Sequence, residues 1–153
     1  MDFLCKSFDE LTLRELHDLL KLRFDVFILE QRSLYPDIDG LDPESRHLLG
    51  VEDGRIEACA RWWEEDGVVR LGRIVVSPRC RGGGTGSRLM RAALARIGGR
   101  PVRLHGQEHL ARFYESFGFE TEAGPFDEDG IPHLVMLRPA ASGSTGEAPT
   151  ARP

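Results

Sequence analysis

The chain has 153 residues, of which 41% are hydrophobic and 29% are charged, and its formal net charge is −5. These values are typical of one globular domain with a proper core. The acidic balance and the lack of a basic run argue against a nucleic-acid partner. Because no apolar stretch approaches the roughly 20 residues of a membrane span and no secretory signal opens the chain, we expect no membrane partner. The three cysteines lack CxxC spacing, so we expect reduced thiols in a cytoplasmic protein: Cys5, Cys59 and Cys80.

The first third of the chain predicts a strand, a helix and a loop. Residues 1–8 can form a short strand, and Thr12 with Glu15 makes a capping box, which satisfies amides at a helix start. Residues 31–45 hold two prolines, a glycine and several acids, which is typical of a loop. Between these segments, apolar residues at spacings of three and four predict one buried helical face: Leu13, Leu16, Leu20, Phe24 and Phe27.

The middle of the chain predicts a three-stranded meander followed by a helix. Strands are expected over residues 47–51, 55–63 and 68–77, with turns at Asp53-Gly54 and Asp66-Gly67. The next helix places one set of apolar residues on a single side: Leu89, Met90, Ala93, Leu94 and Ile97.

The last third predicts three more strands and a second short helix. The strands are expected over residues 101–105, 119–123 and 131–137, with a turn at Asp129-Gly130. The helix carries Leu110, Phe113, Tyr114 and Phe117 on one face and ends at Gly118, which suits a C′ position. Residues 140–153 (AASGSTGEAPTARP) are small, polar and proline-containing, which predicts a disordered tail.

A glycine-rich stretch, RGGGTGS at residues 81–87, lies between an expected strand and an expected helix. It is no Rossmann fingerprint, because Ser87 stands where the third glycine belongs and no acid follows about 20 positions later. It is no Walker loop, because Gly86 is followed by Ser-Arg rather than Lys-Ser/Thr. A plain turn and a cradle for another phosphate-bearing cofactor remain, since glycines let backbone N–H groups converge at a helix N-terminus.

Two motifs resemble the GNAT N-acetyltransferase superfamily. Arg81-x-x-Gly84-x-Gly86, after a strand ending Val-x-Pro, resembles its acetyl-CoA signature. Residues 107–119 (QEHLARFYESFGF) resemble its second motif, a helix that carries Tyr and ends in Gly-Phe. A further set resembles the ElaA-type branch more narrowly: Leu22-Arg23, Val26-Phe27, Glu30-Gln31, Asp39-Gly40, His47-Leu48 and the segment 129–133.

The resemblance implies a GNAT acyl-CoA N-acyltransferase fold over residues 1–139, an α/β (α+β) domain with a mixed central sheet flanked by helices. Acetyl-CoA would be the co-substrate, and no metal is expected. Its pantetheine arm would lie along the strand that ends near residue 76, with a backbone N–H polarising the thioester carbonyl. The residues implied in cofactor binding are Ile74, Val75, Val76, Arg81, Gly82, Gly83, Gly84, Thr85, Gly86, Ser87 and Gln107.

The resemblance also implies catalytic roles. Tyr114 matches the position that often protonates the departing thiolate, although a core aromatic would have the same spacing. The glutamate that some relatives carry before this helix is missing, because the strand reads VRLH at residues 102–105. Four groups could replace that base: Glu30, Asp39, His47 and His133. We favour Glu30 and His133 as residues that border the acceptor site, with His133 as the base. Glu30 could instead pair with an arginine, and His133 could be structural.

The remaining expectations concern charged and aromatic residues in the first half of the chain. Arg23 is interpreted as a salt-bridged helix residue rather than a substrate-site residue, and the acids of residues 37–44 as solvated turn formers. Trp62 and Trp63 point to opposite strand faces, so one is expected in the core and the other beside a ligand.

The function predicted is transfer of acetyl to a small-molecule or peptide amine. The rivals are an autoinducer-synthase-like acyltransferase and an acyl-CoA-binding module without turnover. A homodimer is left open.

Overall fold

The computed structural model describes residues 1–141, which form two compact units. The first comprises Met1–Trp63 and Leu71–Arg96, and the second comprises Glu64–Arg70 with the chain from Ile97 onward. The single domain expected over residues 1–139 therefore stays a prediction. Ala140 and Ala141 belong to no helix or strand, and the rest of the predicted tail lies outside the described residues. No helix within residues 1–141 is long and apolar enough to cross a membrane.

Seven strands form a mixed sheet and three α-helices accompany them, as expected for the fold class. The strands are β1 (Asp2–Ser7), β2 (Arg46–Glu52), β3 (Arg55–Glu65), β4 (Val68–Val76), β5 (Val102–Gln107), β6 (Glu120–Glu128) and β7 (Ile131–Arg138). The helices are α1 (Leu13–Arg23), α2 (Thr85–Ile97) and α3 (Ala111–Glu115), and a π-helical segment, Phe24–Glu30, continues α1. The strand order is β1-β2-β3-β4-β5-β7-β6.

The hairpin turns of the sheet follow the sequence signals. β1 is antiparallel to β2, and β2 is antiparallel to β3. Asp53 and Gly54 have φ angles of 51° and 74°, and Asp66 and Gly67 have φ angles of 53° and 78°. A positive φ at both central residues is what a two-residue type I′ turn requires, so both predicted turns are confirmed.

In the second unit, the start of β4 is parallel to β5 through Val69↔Val102 and Arg70↔Arg103. β5 is antiparallel to β7, which in turn is antiparallel to β6. β6 extends well beyond the predicted residues 119–123 and shifts register near Ala123. Its residues lack regular apolar alternation, which explains why the sequence pattern showed only its beginning.

The buried face of α1 differs from the predicted one. Thr12 caps α1 as expected, accepting from the Glu15 N–H at 3.0 Å. However, Leu13 is 89% exposed and Phe24 is 49% exposed. The buried stripe is Leu19, Leu22, Arg23 and Val26, which packs with Leu49, Cys59 and Val75.

This correction has an electrostatic cause. Arg23 is completely buried because Asp37 and Asp42 neutralise its guanidinium at 3.0 and 2.8 Å, which turns this side of the helix inward. By contrast, the predicted face of α2 is buried in full: Leu89, Met90, Ala93, Leu94 and Ile97. On α3 only Tyr114 is buried, because that helix has a little over one turn.

Replacing Arg23 with Met should lower the free energy of unfolding by about 3–5 kcal/mol, because two buried carboxylates, Asp37 and Asp42, would each lose one of the two arginines that neutralise them. Denaturant unfolding measures this loss. Lys21→Met is the matched control, since Lys21 also lies on α1 and pairs with an aspartate, Asp25, at 2.6 Å on the exposed surface. We expect the control to unfold almost as the wild type does. Equal stability of the two variants would contradict the role given to Arg23.

Candidate active site

The glycine-rich stretch forms an open backbone cradle between β4 and α2. Gly82 and Gly84 have φ angles of 87° and 78°, a left-handed conformation that glycine adopts without strain. Within residues 1–141, no backbone N–H from Gly82 to Ser87 donates a hydrogen bond. The first turn of α2 contains no acidic residue. Unpaired N–H groups and the positive end of a helix together make an anion site.

The glycines of the cradle face open space. A Cβ atom placed on Gly82 or Gly83 would meet nothing within 4 Å, and one on Gly84 would meet only the Arg88 guanidinium at 3.5 Å. The residues present therefore fit the diphosphate of coenzyme A, which their N–H groups could hold without a side chain in the way.

Two arginines border the cradle. Arg88, which the sequence analysis did not single out, donates to the Gly83 carbonyl at 2.9 Å and to the Thr85 hydroxyl at 3.1 Å. Arg81 donates through Nε to the Val76 carbonyl at 2.9 Å. Its other nitrogens bind both oxygens of Glu30, at 2.7 and 2.9 Å. The Arg81 hydrogen bonds lower the pKa of Glu30, so the pairing alternative for Glu30 is the one observed.

The strand that leads into the cradle contains Ile74, Val75 and Val76. Val75 is buried in the core of the first unit, whereas Ile74 and Val76 are half-buried. Immediately before them, Arg73 has a φ of 50°, although it is not a glycine and lies inside a strand. No sequence signal indicated this conformation.

Tyr114 is enclosed within the second unit. Its side chain is 6% exposed, and burial raises the pKa of its hydroxyl to about 12. Phe113 and Phe119 pack edge-on against its ring. Gly106 makes room for it, because a Cβ there would lie 2.8 Å from Cε2 of the tyrosine. The predicted strand ended at residue 105, one position before Gly106, so the close approach that a glycine inside a strand can indicate was missed.

Gln107 and His133 are brought together by the strand register. They are direct cross-strand partners on β5 and β7. Nδ1 of His133 lies 2.8 Å from the Ile131 carbonyl, so this nitrogen is the donor and Nε2 is the acceptor in the neutral ring. Nε2 forms no hydrogen bond with any residue in the described range.

Glu44 is exposed, as expected for the acids of residues 37–44. Its three neighbours Asp37, Asp39 and Asp42 form ion pairs instead, which corrects the sequence interpretation. Together with three arginines they build one ion-pair cluster, called the arginine–aspartate cluster below: Arg23, Arg61, Arg73, Asp37, Asp39 and Asp42. Asp37 and Asp42 are buried, and equal numbers of the two charges explain why burial is tolerated. The preference for Arg23 as a salt-bridged residue is confirmed.

Two of the candidate bases, Asp39 and His47, are held by hydrogen bonds to residues of the cluster. Burial opposes ionisation of Asp39, but hydrogen bonds from Arg61 and from the Leu41 N–H outweigh it and lower the pKa to about 2. His47 is fully buried, with Nε2 at 2.9 Å from the Asp42 carbonyl. Burial lowers the pKa of His47, so its ring is neutral and closed off from solvent.

The two tryptophans divide as expected in burial. Trp62 is 4% exposed, and Trp63 is half-buried with the Arg61 guanidinium 5.3 Å from its ring centroid. The cation beside the Trp63 ring is thus the Arg61 side chain of the protein, and the ligand expected beside this tryptophan stays a prediction. Among residues 1–141, no three His, Cys, Asp or Glu side chains are grouped as metal ligands.

Comparison with known proteins shows which protein family the chain belongs to. The mixed seven-stranded sheet with its flanking helices matches the fold of acyl-CoA N-acyltransferase structures. The acetyltransferase (GNAT) domain family matches residues 15–138, and the chain belongs to this family. The protein ElaA of Escherichia coli strain K12 is 41% identical over 138 residues, which cover 84% of this chain and 90% of ElaA. The ElaA-type resemblance is therefore confirmed.

Solved structures agree with this assignment. The crystal structure of E. coli ElaA has a TM-score of 0.86 at 38% identity, covering 90% of this chain and 99% of that one. An acyl-CoA N-acyltransferase from Pseudomonas aeruginosa has a TM-score of 0.85 at 39% identity, with the same coverage of 90% and 99%. A GNAT acetyltransferase from Elizabethkingia anophelis, solved with acetyl-CoA bound, shares the fold with a TM-score of 0.66 at 12% identity, covering 90% and 97%.

Proposed function

We propose that this chain transfers an acetyl group from acetyl-CoA to the amine of a small molecule or a peptide. The observation that carries the proposal is the row of unpaired N–H groups from Gly82 to Ser87 at the N-terminus of α2. Family membership supports it, and so does the acetyl-CoA bound to a neighbour of the same fold. The three free cysteines suit a reducing compartment, and we propose the cytoplasm.

In the proposed reaction, acetyl-CoA supplies an activated acyl group as a thioester. The amine nitrogen forms a bond to the carbonyl carbon, the carbon–sulfur bond breaks, and the amine loses a proton. The cradle holds the diphosphate, with Arg81 and Arg88 beside it, and Gln107 offers an amide to the cofactor. A backbone N–H among Ile74–Val76 stabilises the negative charge that develops on the carbonyl oxygen. Positioning two substrates in line provides much of the rate.

Tyr114 is the proposed donor to the departing thiolate. With a pKa of about 12, its hydroxyl keeps its proton at neutral pH, as a donor must. Such a weak acid stabilises the thiolate chiefly by donating a hydrogen bond, because full proton transfer works best when the donor pKa is near the working pH. The packing around the ring fixes the direction of that hydroxyl.

His133 is the proposed base. Of the four candidates, Asp39 and His47 are committed to the arginine–aspartate cluster, and Glu30 is held by both terminal nitrogens of Arg81. His133 and His47 each have a ring nitrogen with a lone pair and no described partner, but Nδ1 of His47 is buried, whereas the His133 side chain is half-buried. Glu30 then acts through Arg81, whose guanidinium it orients at the cradle, rather than on the amine.

Release of free coenzyme A from acetyl-CoA, screened against a panel of small amines and peptides, tests the proposed reaction. Amine-dependent release with a matching acetylated product supports acetyl transfer. Binding of acetyl-CoA without release for any amine would instead favour an acyl-CoA-binding module.

Gly83→Asp should weaken acetyl-CoA binding by about tenfold or more, because a carboxylate would stand where the diphosphate carries its charge. Gly83 suits this test better than Gly84, since it is not left-handed and has open space at its Cβ position. Gly83→Asn adds the same volume without charge and should bind far better than Gly83→Asp. Isothermal titration measures both, and equal affinities would mean that the stretch is only a turn.

Tyr114→Phe should lower kcat by about 10²-fold, the low end for loss of a positioned proton donor. The ring is kept, so acetyl-CoA affinity and Tm should change little. Tyr35→Phe removes the hydroxyl of the chain's other tyrosine and serves as the control. Wild-type kcat in Tyr114→Phe would reduce Tyr114 to a packing residue.

His133→Gln should move the acidic limb of the pH–rate profile at saturating acetyl-CoA to higher pH, where the amine loses its proton without a base. A neutral imidazole accepts the proton of the amine and a protonated one cannot, so activity through a histidine falls as pH drops past its pKa. In the variant, the rate should recover at high pH, where more of the amine is already neutral. A profile identical to that of the wild type would exclude His133 and leave water to take the proton.

A further inference from the structure

Arg73 has an unusual backbone for its position. It lies inside β4 with a φ of 50°, the left-handed region that a residue with a Cβ avoids. In a strand such a residue is typical of a bulge, which bends the strand and re-aims the groups that follow. Conformations of this kind persist only where the surroundings impose them, and they cluster at functional sites.

The surroundings of Arg73 hold it through its side chain. Nε lies 2.7 Å from Oδ1 of Asp37, and Nη2 donates to the Asp37 carbonyl at 3.0 Å. Nη2 also lies 3.3 Å from Oδ2 of Asp39. The guanidinium stands 5.5 Å from the ring centroid of Tyr35, and the thiol of Cys59 lies 3.7 Å from the Arg73 carbonyl.

These partners are themselves fixed. Arg23 binds Asp37 through the carboxylate at 3.0 Å and through the carbonyl at 2.9 Å, and Arg61 binds both oxygens of Asp39. The loop that carries the aspartates therefore cannot follow a moving Arg73 without breaking buried ion pairs. A rigid loop gripping one side chain of β4 is the arrangement that could hold a strained backbone in place.

We propose that Arg73 is a positioning residue, whose side chain is clamped by Asp37 and Asp39 so that the left-handed backbone of β4 aims the following N–H groups at the thioester carbonyl. The inference rests on the proposed function for the role of those N–H groups. It does not need that function for the clamp itself. Arg73 does not touch the substrate in this account, because its guanidinium is turned toward the loop, where Nη2 donates to the Asp37 carbonyl.

Alanine and glycine at position 73 separate this role from any other. Both remove the guanidinium, but only alanine keeps the Cβ that disfavours a left-handed backbone. Without the clamp, both variants can relax to an ordinary strand backbone, so Arg73→Ala should have the higher Tm, the usual order in a strand. Arg70→Ala and Arg70→Gly are the matched controls on the same strand, where alanine should be the more stable, since Arg70 has no positive φ.

Activity gives the second readout, measured with the panel amine that the wild type acetylates fastest. Arg73→Ala and Arg73→Gly should each lose about 10²-fold in kcat with little change in acetyl-CoA affinity, because neither has a side chain that the loop can hold. Recovery of kcat in Arg73→Gly, or a shared rise in the KM of the amine, would overturn the positioning role. A higher Tm for Arg73→Gly would overturn the clamp, because the left-handed backbone would then persist without the guanidinium. If the wild type acetylates no amine, the proposed function fails, while the order of the Tm values still decides the clamp.

Discussion

The arginine–aspartate cluster is the interaction on which the first unit depends. Three guanidinium groups and three carboxylates neutralise one another beneath α1, so that an arginine can occupy a core position of the helix. An irregular loop thereby acquires a fixed shape without regular secondary structure. The same contacts connect the helix, the loop and the strand that enters the cradle. Each charge is tolerable only because the others are present, which makes the cluster cooperative rather than a sum of pairs.

The sequence predicted best those parts that local chemistry determines. The capping box at Thr12, the Asp-Gly turns and the apolar face of α2 each depend on a few neighbouring residues, and each is confirmed. The exposed Leu13 and the buried Arg23 reverse the simple rule that apolar residues face the core, because the partners of Arg23 come from a loop 14 and 19 positions away. No helical periodicity contains that information.

The candidate site shows the same division. The glycine cradle is visible as a motif because its N–H groups are contiguous in the chain. The space that Gly106 leaves for the Tyr114 ring, and the pairing of Gln107 with His133, depend on register between strands, which the sequence alone does not specify. The left-handed Arg73 is invisible for a further reason, since arginine is a residue that ordinarily avoids such a conformation.

The pair between Arg81 and Glu30 differs from the cluster in its exposure, with 41% and 43% of the two side chains accessible. Mobile counter-ions screen exposed charges over a Debye length of about 8 Å at physiological ionic strength, and buried charges much less. Added salt should therefore loosen the arginine beside the cradle while the loop and α1 remain bound together. The ionic strength around the protein would then set how freely that guanidinium turns from Glu30 toward an arriving diphosphate, a sensitivity that the buried arginine–aspartate cluster does not share.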